Sequence, residues 1–169
     1  MSTKIKNKTI AYSTCFLSVM LILGYIENII PVSFIGYFGL KLGLTNIVTL
    51  ISLKILNVRM TFIINLLRII ILGLLFGIPL RAVMSLSGFI FSFVITLICM
   101  YCFKFGMVST SIFGAVFHYI GQIIVVIYLV GFNAAFLIPF YIIIGIVAGL
   151  IIGIISDLIY TKLSLFKIE

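Results

Sequence analysis

Negative charge is almost absent from this chain: its 169 residues include three acids, Glu27, Asp157 and Glu169. Charged residues of both signs amount to 8%, against roughly 25% in soluble domains. Apolar residues make up 64%, against roughly 45–50% in such domains, so there is too little polar surface to cover a water-soluble fold. Burial in bilayer hydrocarbon is the remaining explanation, and a mean hydropathy of +1.48 agrees with it. Cysteine is scarce as well. Cys15, Cys99 and Cys102 all lie in apolar stretches and give no disulfide framework. Cys99 and Cys102 have CxxC spacing, but no βαβ setting or second ligand pair accompanies them, so they read as small helix-packing residues. A GxxxxGK[ST] loop and an acidic Mg²⁺-binding motif are both missing, and the chain alone cannot hydrolyse ATP. The net charge of +8 does not indicate nucleic acid, because apolar runs separate the basic residues and no continuous phosphate-binding surface results.

What is present is a succession of apolar segments at 9–27, 42–56, 61–78, 84–103, 109–130 and 135–160. These predict an all-α integral membrane protein with six transmembrane helices in a single bundle. Residues 1–8 form a basic N-terminus, 9–160 the membrane domain, and 161–169 a short tail. The first segment follows three lysines like a signal peptide, yet no small-x-small cleavage site follows it, and its length suits a retained span. The second is the shortest and carries polar residues; Pro139 marks an early break in the sixth.

Basic residues set the orientation. Lys4, Lys6, Lys8, Lys54, Arg59, Lys104, Lys162 and Lys167 fall on one side of the six-span arrangement and Lys41 and Arg81 on the other, a ratio of eight to two. The positive-inside rule then places both termini in the cytosol and the 28–40 loop outside. That loop contains Pro31-Val-Ser-Phe-Ile-Gly-Tyr-Phe-Gly39, which suits either a membrane-hugging cap or a tight connector.

Polar residues within the spans point to function. Asn65 and Arg68, three apart, share one face of the third span. A mid-span arginine costs about 2.5–3.5 kcal/mol on the insertion scale. Arg68 therefore binds a ligand, pairs with Glu27 or Asp157, or snorkels. His118 and Gln122, at i and i+4, face inward from the fifth span and serve either an interhelical hydrogen bond or a substrate contact; a single histidine is poor evidence for a metal. Glu27 and Asn28 end the first span, while Lys41, Thr45 and Asn46 open the second. With Arg68 and His118 they compose a polar chamber in the outer half of the membrane that favours an anionic substrate, unless Glu27 and Lys41 merely face headgroups. Gly145, Gly149 and Gly153 recur every four residues, as an internal packing seam or a partner surface; Ala11 and Cys15, followed by Ser18, form a weaker small-residue stripe.

Glu27-x-x-x-Pro31, Lys41-Leu-Gly-Leu-Thr-Asn46, Leu66-Leu-Arg68 and His118-x-x-Gly121-Gln122 together resemble the membrane family called heptaprenyl diphosphate synthase component I, or the Gx transporter family, over roughly residues 10–160. That family in turn resembles the substrate-binding S components of energy-coupling factor importers. The resemblance implies an S-component-like six-helix bundle that captures a small, anionic or amphipathic molecule from outside. It also implies a membrane coupling subunit and two ATPase subunits as partners, which would consume the ATP; the chain itself would hold no cofactor. By the same resemblance Glu27, Lys41, Asn46, Arg68, His118 and Gln122 are pocket positions. Thr45 stands where the family block commonly has alanine, and Ala11-x-x-x-Cys15 only approximates the Ala-x-x-x-Ala stripe of many S components. The enzymatic name conflicts with the residues. Prenyl transfer needs clustered acids to hold Mg²⁺ against diphosphate, and this chain's three acids are far apart. The expectation is a non-enzymatic chain, with a membrane accessory or scaffold role in prenyl diphosphate or quinone metabolism as the alternative to transport.

Overall fold

The computed structural model describes residues 3–29, 43–77 and 79–165. Its helices are α1 (Thr3–Ile29), α2 (Thr45–Ile55), α3 (Val58–Phe76), α4 (Pro79–Leu97), α5 (Met107–Val130) and α6 (Ile138–Leu165). A π turn, Ile98–Cys102, extends α4, and a 3₁₀ turn, Phe132–Leu137, leads into α6. No strand occurs among the described residues, and the protein is an all-α bundle. Five helical segments are long and apolar enough to cross a bilayer, as a multi-pass membrane protein requires: Lys8–Ile29, Val58–Phe76, Pro79–Cys102, Met107–Leu129 and Phe132–Leu165. Their outer faces are apolar, as at Leu74, 79% exposed, and Tyr128, 88% exposed, which suits a lipid surround.

The second helix departs from the expected span over 42–56. At 11 residues, α2 measures about 16 Å, roughly half of a hydrocarbon core. The reason lies in Gly43, whose φ of +77° is left-handed, so an α-helix cannot run back through it. What α2 lacks in length it makes up in burial. Thr45, Ile47–Leu53 in unbroken succession, and hence both faces of the helix, are enclosed by α1, α3, α5 and α6. Ile47, Leu50 and Ile51 join Tyr119, Ile123 and Ile152 in one core cluster, while Leu53 meets Ile69, Phe89 and Phe93 in another.

Glycine governs the closest helix approaches. On α6, Gly145, Gly149 and Gly153 step down α5 opposite Val116, Ile112 and Val108. A Cβ at Gly149 would stand 2.6 Å from the Ile112 Cα, and one at Gly153 2.8 Å from the Val108 Cα. The glycine row thus lies inside the bundle, and of the two roles left open for it the structure places it in the packing seam. A second crossing, between α4 and α5, brings Gly121 against Gly88, with a Cβ on Gly121 falling 2.9 Å from the Gly88 Cα. Ser87 fastens it by donating its hydroxyl to the Gly121 carbonyl at 2.7 Å. Pro139 lies in the first turn of α6, where a missing N–H costs nothing, and the irregularity precedes it as the 3₁₀ turn. The cysteines do not converge: Cys99 is buried, Cys102 exposed, and both are free thiols.

Replacement of Gly149 by leucine should therefore unfold the bundle more readily, at a cost of at least about 1–3 kcal/mol. Gly106→Ala, where no atom lies within 4 Å of the added Cβ, is the control and should be close to neutral. Thermal unfolding of both variants in one neutral detergent measures the difference; an unchanged transition in Gly149→Leu would contradict the internal seam.

Candidate functional site

At the end of the bundle where α1 finishes and α2 begins, polar side chains from five helices surround a cavity of about 40 Å³. Glu27 and Asn28 reach it from α1, Thr45 from α2, Arg68 from α3, Arg81 and Ser85 from α4, and His118 from α5. Ile69, Leu72, Phe76 and Ala82 form an apolar wall between α3 and α4. The space accommodates roughly three or four waters at about 10–15 Å³ each, and its lining is polar enough to hold them.

The start of α2 organises this site. A helix N-terminus leaves backbone N–H groups without intrahelical acceptors and carries partial positive charge. Glu27, in the last turn of α1, accepts the Leu44 N–H through Oε1 at 2.5 Å. Its carboxylate is at the unfavourable end of α1 and at the favourable end of α2. One residue on, the Thr45 hydroxyl accepts a hydrogen bond from Arg68 Nη1. Arg68 is 7% exposed, which excludes snorkelling, and its Nε is buried with no hydrogen-bond partner among the described residues. Asp157 is exposed in the distal part of α6, so the pairing of Arg68 with that acid is overturned. Glu27 acts on Arg68 electrostatically from the same cavity.

Asn65 does share the Arg68 face, but it serves the seam between α2 and α3. Thr49 Oγ1 donates to Asn65 Oδ1 at 2.9 Å, and Asn65 Nδ2 donates to the Thr61 carbonyl at 2.9 Å. With 1% of its surface exposed, Asn65 is a buried tie and does not line the cavity. Asn46 turns elsewhere, to a smaller void of about 10 Å³ lined by Thr49, Ser92, Thr96 and Ser111. Gln122 lies behind His118, its Nε2 3.1 Å from the His118 Nε2, and orients the ring without reaching the cavity. Gly88 lets that ring lie close, since a Cβ there would be 2.9 Å from the His118 Cε1. Lys41 and most of the 28–40 loop fall outside the described residues. Ala11, Cys15 and Ser18 form an exposed stripe on α1, remote from the cavity.

Arg81 and Ser85 belong to the site and were not expected there. Arg81 read as a topological charge in a short connection, yet the signal was available: the two stand at i and i+4 and so share a face of α4. Among the described lining residues, two guanidinium groups accompany one carboxylate. The site therefore has positive character on one side and an apolar wall on the other, suited to an amphipathic anion.

No curated protein and no solved structure matches the chain. A family match covers most of it, from residue 16 to residue 159, and so includes every described residue that lines the cavity. On that match the chain belongs to the heptaprenyl diphosphate synthase component I family.

Proposed function

We propose that the protein is the substrate-binding membrane subunit of an ATP-driven importer of the energy-coupling factor type, and that it captures a small anionic or amphipathic molecule. The observation that carries this reading is Arg68. A permanent cation is held in the interior of a membrane-type bundle, on the wall of a cavity, with a buried donor still unspent. An arginine needed only for structure would be expected to use its donors fully, because an unsatisfied buried N–H is costly. In this reading the eight-to-two distribution of basic residues puts both termini in the cytosol and opens the cavity to the outside. The exposed Ala11, Cys15 and Ser18 stripe on α1 would meet a coupling subunit, and two ATPase subunits would supply the energy.

The family name suggests a component of heptaprenyl diphosphate synthase, and it favours a second reading as a non-catalytic accessory of prenyl diphosphate or quinone metabolism. A catalytic role for the chain itself is disfavoured by the acids. Among the described residues Glu27 is the one carboxylate lining the cavity, and a Mg²⁺–diphosphate centre needs several.

Purification of the protein from its natural membrane, followed by mass spectrometry of whatever small molecule it retains, tests the transport reading directly. Equilibrium binding of that molecule should fall more in Arg68→Met than in Arg68→Lys, because lysine keeps the charge and loses the planar fork. A loss on the order of 1.5–3 kcal/mol is expected for Arg68→Met, the range of a hydrogen bond to a charged group. Wild-type affinity in Arg68→Met would remove arginine from the binding role. For topology, reporter tags at Ser2 and Glu169 should both report the cytosol, and cysteines introduced at Gly36 and Asn133 should label from outside; a terminus on the external face would overturn the orientation.

A further inference from the structure

The geometry points to a carboxylate as the anionic group that this site takes, with Glu27 occupying its place until the ligand arrives. This rests on the capture reading above and deepens it. Three observations converge on one spot. The Leu44 N–H, at the start of α2, is an anion-seeking donor, and in this structure a carboxylate oxygen fills it at 2.5 Å. Arg68 binds the adjacent Thr45 hydroxyl through Nη1 while its buried Nε has no hydrogen-bond partner among the described residues. The cavity between them holds about 40 Å³, enough for a few waters, and Glu27 stands on its wall.

A guanidinium with Nε and an Nη available presents a fork that fits the two oxygens of a carboxylate. Glu27 is more than an orienting group for Arg68, since it accepts the Leu44 N–H while Arg68 donates to Thr45. It has the chemistry of the expected guest. In exchange, the ligand carboxylate would accept the Leu44 N–H and the free edge of Arg68, and the Glu27 side chain would yield its place. The apolar part of the ligand would lie along Leu72, Phe76 and Ala82, with Arg81 at the exposed rim beside it. No bond is made or broken in this exchange. An internal competitor lowers apparent affinity by the fraction of time it leaves the place open, so a place occupied about nine-tenths of the time weakens binding about tenfold.

Hexanoate, hexyl phosphate and hexylammonium, titrated calorimetrically into the purified full-length protein in a neutral detergent, provide the test. Wild type should bind hexanoate better than hexyl phosphate and should not bind hexylammonium. Glu27→Asp is the decisive variant: it keeps the negative charge but is shorter by one carbon–carbon bond, about 1.5 Å, and cannot hold the Leu44 N–H. It should bind hexanoate roughly tenfold more tightly than wild type, whereas a purely electrostatic role for Glu27 would leave affinity unchanged. Glu27→Gln, neutral and a weaker acceptor, should also bind more tightly; a gain in it that Glu27→Asp does not share would assign Glu27 a purely electrostatic role and overturn the proposal. Unchanged or weaker hexanoate binding in the folded variants, or failure of both to fold, would show Glu27 to be structural and overturn the proposal. Preference for hexyl phosphate would overturn the assignment of a carboxylate while leaving anion capture intact. The capture reading itself fails on a different result, namely wild-type binding of the natural molecule by Arg68→Met.

Discussion

A guanidinium cannot shed its charge in a hydrocarbon interior, and the architecture around Arg68 follows from that constraint. It needs polar atoms at mid-bundle depth, and regular helices of apolar sequence offer none, because their backbone groups are already paired. The solution is a helix that begins inside the bundle. By starting at Thr45, α2 brings a hydroxyl to Arg68 and an amide without an intrahelical acceptor to Glu27 within two consecutive residues. The half-length of α2 and the buried arginine are two aspects of one arrangement.

That arrangement would be loose without a rigid surround. Backbone contact at Gly145, Gly149 and Gly153 locks α5 to α6, and the Gly88–Gly121 crossing locks α4 to α5. In lipid the hydrophobic effect does not drive helices together, so close packing over small residues has to supply the association. The polar groups inside the bundle then have fixed neighbours. His118 is set against Gly88 on one side and Gln122 on the other, and Asn65 is tied to Thr49. The same side chains that hold the elements together hold the cavity wall in shape.

Much of this was legible in the sequence, and the parts that were not have physical reasons. Apolar runs located the five long helices to within a few residues, because hydrocarbon thickness imposes a length on them. The same reasoning extended α2 too far: Leu42 and Gly43 continue its apolar run, and composition does not reveal that Gly43 takes a left-handed φ. The three-residue spacing correctly put Asn65 and Arg68 on one face. It could not tell that Thr49 would engage Asn65 and leave Arg68 alone to face the cavity, since that depends on the rotation of α2 about its own axis. Asn46 shows the same limit, turning toward the hydroxyl-lined void. Arg81 was overlooked because a charge near a helix end has an ordinary explanation in topology, and only the neighbouring wall of α3 reveals its second role.

The polarity of the site depends less on how many charges it has than on how they are bound. Glu27 and Arg68 share a cavity, yet Glu27 accepts the Leu44 N–H and Arg68 donates to the Thr45 hydroxyl, two different residues of the α2 start. A direct, fully satisfied ion pair would be a stable structural unit with little left to offer a ligand. Splitting the pair across Leu44 and Thr45 keeps both charges neutralised at a distance and leaves a guanidinium edge unused. An incoming anion can then gain hydrogen bonds from Arg68 without first breaking a direct Glu27–Arg68 bridge. The two wall helices complete the selectivity, because Leu72 and Phe76 of α3 with Ala82 of α4 present surface that a small hydrated ion cannot exploit and an amphipathic one can.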